Sequence, residues 1–110
     1  MFEYRFDAAL VTITEEEFGF TVGFCESADF SGRYVILTED PDGCYLELND
    51  QCYSSYGDIR AASAAEDVAA LELRNGFSIE GKRYHSIKIG ISSFKDGPEP
   101  LQAALDRLIY

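Results

Sequence analysis

The segment from residue 86 to residue 110, SIKIGISSFKDGPEPLQAALDRLIY, contains two hydrophobic periods, and the change between them decides the fold class. Isoleucine occupies every second position from 87 to 91, which is the period of a β-strand. Beyond Pro98 and Pro100, which the first turn of a helix tolerates, apolar residues recur at positions 101, 105, 108 and 109. That spacing places one apolar stripe on a short helix. The segment therefore predicts a strand followed by a helix that packs on a sheet.

The rest of the chain follows mostly the strand period, in which apolar residues alternate with polar ones. This alternation predicts strands near residues 2–6, 9–13, 18–25, 34–38, 44–48 and 77–79. Turns are predicted at 15–17, 39–43, 75–76 and 80–82, where acids, Pro or Gly interrupt it. The two strands around residues 39–43 should form a hairpin. We therefore expect one α+β domain over residues 1–110, a mainly antiparallel β-sheet with a C-terminal α-helix packed on one face.

Two regions do not follow a single period. Residues 49–58, NDQCYSSYGD, are polar and rich in Ser, Tyr and Gly, and they predict a loop. The alanines between residues 61 and 70 favour a helix by propensity, whereas alternation over residues 69–74 favours a strand. The sequence leaves 61–70 open between helix, loop and strand and favours a strand over the second half of residues 59–74.

The charge balance limits the partners. The chain has 20 Asp and Glu against 9 Lys and Arg, a formal net charge of −11. Such a field repels nucleic acid and anionic membrane surfaces and favours a cationic partner such as a basic protein. Solubility alone also explains an acidic surface. The first ten residues lack the pattern of a secretory signal, and no apolar run reaches the roughly 18 residues of a membrane helix. We therefore expect a cytoplasmic protein.

Few residues are suited to catalysis or metal binding. The three cysteines, Cys25, Cys44 and Cys52, are odd in number and lack the C-x-x-C spacing of zinc and redox motifs. The one histidine, His85, has no nucleophile motif beside it. The acidic clusters do not follow the calcium-loop pattern. We therefore predict neither an enzyme nor a metal or cofactor site.

The loop at residues 49–58 is the candidate binding segment. Tyr53 and Tyr56 supply rigid aromatic contact area, and Asp50 and Asp58 place negative charge beside them. Rings next to carboxylates bind Arg and Lys by ion pairing and cation–π contact. Gln51 adds a polar contact, and the acids of the turn at 39–43 are weaker candidates that act on association rate: Glu39, Asp40 and Asp42. The alternative is a structural loop whose tyrosines pack on the core.

The same stretch resembles a known family. Residues 45–51, YLELNDQ, followed by Tyr56-Gly57-Asp58-Ile59, resemble the immunity protein ten family of bacterial polymorphic-toxin systems. The family's layout, in which strands precede a final helix, is also similar to the layout expected for most of this chain. The resemblance implies a small α+β protein that is made alongside a toxin, binds it and protects the producing cell. It implies no particular set of contact residues.

Three functions of different classes are compatible with these features. The first is a non-enzymatic inhibitor that occludes a cognate, basic protein toxin with an acidic, tyrosine-bearing surface. The second is a small-ligand-binding or structural domain acting as a homo-oligomer, with the small side chains at Gly19, Thr21 and Gly23 lining a cavity and a paired sheet edge forming a homodimer. The third is a hydrolase in which His85 activates one of the cysteines.

Overall fold

A computed structural model describes residues 2–17, 19–49 and 53–109. The described residues form nine strands and one helix, in an α+β fold. The elements are β1 (Phe2–Asp7), β2 (Leu10–Glu16), β3 (Gly19–Cys25), β4 (Tyr34–Thr38), β5 (Tyr45–Leu48), β6 (Tyr53–Tyr56), β7 (Ile59–Ala65), β8 (Val68–Ile79), β9 (Lys82–Gly90) and α1 (Pro98–Ile109).

The strands form two sheets instead of the one that the sequence predicts. Sheet A has the order β1-β9-β8-β7, and sheet B has the order β2-β3-β4-β5-β6. Sheet B is antiparallel throughout, whereas β1 pairs with β9 in parallel. Alternation along each strand reveals which side of a sheet is apolar, but it does not reveal which strands share a sheet.

The inner faces of both sheets and the apolar stripe of α1 share one hydrophobic core. The helix packs against β7 of sheet A and β3 of sheet B, and it buries Leu101, Leu105 and Leu108 as the spacing predicts. A side chain from α1 also covers an edge of sheet A, because Gln102 Oε1 accepts a hydrogen bond from the Ala64 amide at 2.7 Å. An exposed strand edge would otherwise invite pairing with another chain.

The alanine-rich region is a β-hairpin, so its helical propensity does not decide its structure. Strand β7 pairs in register with β8 from Ala61 to Ala65 and turns through Glu66 and Asp67. Pairing on a half-buried sheet outweighs helix propensities that differ by less than about 1 kcal/mol per residue. The predicted loop at 49–58 is likewise partly wrong, because β6 pairs with β5.

The turn predicted at 15–17 also needs correction. Strand β2 continues through Glu15 and Glu16, whose backbones pair with Phe20 and Gly19, so the turn begins only at Glu17. The predicted turn at 39–43 is confirmed, since it joins β4 to β5. The turn predicted at 80–82 is confirmed at residues 80–81, and Lys82 already belongs to β9.

Asn75-Gly76, predicted as a turn, is a bulge inside β8. Glu72 pairs with Ser86 and Phe77 pairs with Tyr84, so four residues of β8 lie opposite His85 alone. Gly76 adopts a φ of 76°, and a Cβ there would overlap the Tyr84 carbonyl oxygen. Only glycine fits this position, because L side chains disfavour positive φ and no space exists for one.

Gly76→Ala should therefore lower the free energy of unfolding by at least about 3 kcal/mol, from the overlap and the backbone strain together. Gly81→Ala is the matched control, since Gly81 has a φ of 82° but nothing within 4 Å of the added Cβ. The control should lose about 1 kcal/mol, the cost of the left-handed conformation alone. Urea unfolding of both variants measures the difference, and equal losses would contradict the close approach to β9.

Candidate partner-binding site

Asp58, a predicted contact residue, lies inside the protein with 4% of its surface exposed. Its Oδ1 accepts the Asn75 amide at 2.7 Å, and its Oδ2 accepts the Gly76 amide at 3.3 Å. The same Oδ2 accepts the Tyr53 hydroxyl at 2.8 Å, and the Asp58 carbonyl accepts the Arg74 amide at 2.7 Å. The carboxylate thus fastens the bulge of β8 and cannot serve as a surface contact.

Tyr53, the first predicted tyrosine, also has a structural place. It stands opposite Leu48 on the inner face of sheet B, and its ring lies 5.0 Å from that of Phe77 in sheet A. Burial, together with the hydrogen bond to Asp58, raises the pKa of the Tyr53 hydroxyl. For this residue the structure matches the alternative of a tyrosine that packs on the core.

Tyr56, by contrast, reaches the surface and is 57% exposed. It stands opposite Tyr45 on the outer face of sheet B, and the two ring centroids lie 5.1 Å apart. Such a pair offers a broad apolar and polarisable surface at little conformational cost. Asp50 and Gln51, the other predicted contacts in this segment, lie outside the described residues.

The carboxylate beside this pair, that of Glu47, was not predicted as a contact from the sequence. Tyr45 donates its hydroxyl to Glu47 Oε1 at 2.6 Å, and Tyr34 donates its hydroxyl to Oε2 at 2.7 Å. The hydrogen bond to Glu47 raises the pKa of Tyr45. The sequence does contain a signal for this contact, because Tyr45 and Glu47 alternate with Leu46 and Leu48. The two leucines are buried, so Tyr45 and Glu47 share the outer face of the strand. We call Tyr34, Tyr45, Glu47 and Tyr56 the tyrosine face.

The acidic turn between β4 and β5 lies next to the tyrosine face. Gly43 approaches Gly57 so closely that a Cβ on Gly43 would lie 2.9 Å from the Gly57 Cα, and the Gly57 amide donates to the Cys44 carbonyl at 3.0 Å. Asp42 is exposed here, while Asp40 Oδ1 accepts the Asp42 amide at 2.9 Å and shapes the turn.

Glu39 has a partner within the protein. Arg107 of α1 lies 3.3 Å from the Glu39 carboxylate and 3.0 Å from that of Glu15, and its guanidinium stacks 4.2 Å from the Phe20 ring centroid. Arg107 thereby joins the end of the helix to sheet B. Of the three acids predicted in this turn, Asp42 is the one most open to a partner.

Charge is divided unevenly between the sheets. The strands of sheet B contain no Lys or Arg, whereas those of sheet A contain six of the nine in the chain. Residues 10–56, which span sheet B, hold ten Asp and Glu and one Arg, a formal charge of −9 out of −11. The tyrosine face therefore lies on the acidic half of the molecule, where a cation is attracted most strongly.

The small-residue face does not surround a cavity at Gly23. This glycine is buried on the outer side of sheet B, and a Cβ there would lie 2.8 Å from Thr12 Oγ1. A concavity of about 550 Å³ lies instead on sheet A.

The described cysteines lack the chemistry of an activated thiol. Burial raises the pKa of the Cys44 thiol to about 11 and also raises that of Cys25. A nucleophilic cysteine requires the opposite shift, since the thiolate is the reactive form. The hydrolase hypothesis therefore loses support for these two residues, and Cys52 lies outside the described residues. Within the described ranges, no group of three His, Cys, Asp or Glu side chains is placed to hold a metal ion.

Comparisons with known proteins found no match for this chain. No protein-family model matches it, and no curated protein or solved structure shows significant similarity. Across the part of the chain that the structure describes, no helix combines the length and apolar character needed to cross a membrane.

Replacing Asp58 should destabilise the fold. Asp58→Ala removes the acceptor from two backbone amides and one hydroxyl, and it should lower the free energy of unfolding by about 3 kcal/mol. Asp42→Ala, at an exposed position, should change it by less than about 0.5 kcal/mol. Chemical denaturation of both variants tests this contrast, and a stable Asp58→Ala protein would contradict the structural role.

The Cys44 thiol should be almost inert in the native protein. In a Cys25→Ser, Cys52→Ser background, alkylation of Cys44 by iodoacetamide at about pH 8 should be about 100-fold slower than in the urea-unfolded chain. Little thiolate exists at that pH when the pKa is about 11, and the thiol is also buried. Rates followed by mass spectrometry measure the ratio, and a native rate equal to the unfolded one would revive Cys44 as a nucleophile.

Proposed function

We propose that this chain is a non-enzymatic immunity protein that binds and neutralises a cognate bacterial toxin domain in the cytoplasm. The observation that carries the proposal is the tyrosine face, a carboxylate flanked by tyrosines on a sheet whose strands lack Lys and Arg. Aromatic residues are enriched at the centres of protein interfaces, where they contribute much of the binding energy.

Glu47 and Tyr56 define how a basic partner is held. An arginine or lysine of the toxin pairs with the Glu47 carboxylate and lies against the exposed ring of Tyr56, which adds a cation–π contact. The two tyrosyl hydroxyls already bonded to Glu47 hold the carboxylate in place before the partner arrives. A pre-oriented group loses less conformational entropy on binding.

The surrounding acids, including Asp42, act over a longer range. Charge complementarity accelerates association and rejects acidic partners, while the buried contacts set the dissociation rate. If the toxin is a nuclease, its phosphate-binding groove is basic, and sheet B presents a charge of the same sign as the nucleic acid.

The sequence resemblance to the immunity protein ten family involves the same part of the chain as the proposed binding surface. Residues 45–59 carry the resemblance, and they include β5 and β6, the two strands that present Tyr45, Glu47 and Tyr56. We propose membership of that family together with the function.

Growth protection tests the function and the surface together. The gene is co-expressed with each neighbouring open reading frame that arrests growth when expressed alone, and the wild-type chain should restore growth against one of them. Glu47→Arg with Tyr56→Ala should weaken the purified complex at least 100-fold and abolish protection. Each change removes one attractive contact, and the first also places like charges together.

Glu80→Arg is the control for the charge change. Glu80 is exposed in the turn between β8 and β9 of sheet A, and its replacement should leave affinity and protection unchanged. The association rate with the wild-type chain should fall steeply as salt is raised. Protection against no neighbouring product, or a chain found only as a stable homodimer without a toxin complex, would reject the proposal. Full protection by the doubly substituted variant would reject this surface.

A further inference from the structure

The bulge of β8 creates an open concavity on the outer face of sheet A, away from the tyrosine face. Residues 73–76 lie opposite His85, and the backbone there leaves the regular ladder. The concavity has a volume of about 550 Å³, within the range of roughly 300–1,000 Å³ that small-molecule sites occupy. Its lining residues are Arg60, Glu72, Leu73, Arg74, His85 and Ser86.

The charged side chains of this lining are two arginines, Arg60 and Arg74, and one carboxylate, that of Glu72. Arg60 pairs with Glu72 at 2.6 Å, and both side chains are exposed, so the pair can open at little cost. Arg74 forms no ion pair within the described part of the chain. Its backbone amide is fixed by the Asp58 carbonyl at 2.7 Å, which holds the residue at the rim while the guanidinium remains exposed.

His85, which also lines the concavity, carries an unsatisfied polar atom. Its Nδ1 is buried and has no hydrogen-bond partner among the described residues. A buried polar atom without a partner costs free energy, and native structures contain few of them. A ligand or its bound water that reaches this ring would satisfy the atom.

We propose that this concavity binds a small molecule through an anionic group, a carboxylate or a phosphate. Arg74 is the principal cation, because an arginine offers a planar pair of donors that matches both groups. Arg60 turns from Glu72 towards the ligand as a second cation, and Ser86 and His85 supply further hydrogen bonds. The site stands on a different sheet from the tyrosine face, so it does not depend on the proposed toxin-binding function.

The charges around the concavity favour an anionic ligand. The chain as a whole is strongly acidic, so a general surface would repel an anion. The strands of sheet A nevertheless hold six of the nine Lys and Arg residues, and two of these six line the concavity. The charged residues that line the concavity, two Arg and one Glu, therefore carry a formal charge of opposite sign to that of the chain.

NMR of the intact chain tests the proposal. Inorganic phosphate and acetate are titrated separately at fixed pH and ionic strength, with chloride as the balancing anion. The ring of His85, the one histidine in the sequence, gives an isolated signal. It should shift saturably together with the amides of Arg74 and Ser86. Saturation by phosphate alone assigns a phosphate-bearing ligand, and saturation by acetate assigns a carboxylate.

Arg74→Gln should weaken binding at least tenfold, and Arg60→Gln should weaken it less. Arg5→Gln is the matched control, because it removes the same charge from an exposed site on β1 without touching the concavity. The amide spectrum of each variant confirms that it is folded. Chemical shifts that change linearly with the concentration of both anions, without saturation, would overturn the proposal. Equal weakening of anion binding by Arg74→Gln and Arg5→Gln would also overturn it.

Discussion

The buried carboxylate of Asp58 holds the bulge of β8 in place and joins it to sheet B. It accepts the amides of Asn75 and Gly76 and so stabilises a bulge that regular strand pairing would eliminate. It also accepts the hydroxyl of Tyr53 in sheet B, which links the two sheets at this end of the core. A buried charge is tolerated only when its hydrogen bonds are made, and here three donors meet it.

The bulge and the tyrosine face lie on opposite outer surfaces of the same core. Leu46 and Leu48 face inward from β5, which turns Tyr45 and Glu47 outward. On the other sheet, the bulge turns His85 and its neighbours towards a concavity. The sheets also differ in their content of Lys and Arg, so the acidic tyrosine face lies on one side of the molecule and the arginine-lined concavity on the other.

Local sequence patterns predicted some elements well and others poorly. The helix at Pro98–Ile109 follows from its leucine spacing, and the hairpin of β4 and β5 follows from the turn at 39–43. The alanine-rich strand β7 did not follow from propensity, because its pairing with β8 is a tertiary effect. Asn75-Gly76 is a strong local turn signal, yet the same positive φ of Gly76 serves a bulge when Asp58 supplies the acceptors.

The sequence by itself determined the fold class, the acidic character and the presence of tyrosines near an acidic segment. These properties depend on residue type and spacing along the chain, which alternation and charge record directly. Only the tertiary structure decided which tyrosines are accessible. Tyr53 and Tyr56 are three residues apart in one strand and therefore point to opposite faces, so one packs on the core while the other reaches solvent. The partner that makes Asp58 structural is likewise 17 residues away, a distance that no local pattern encodes.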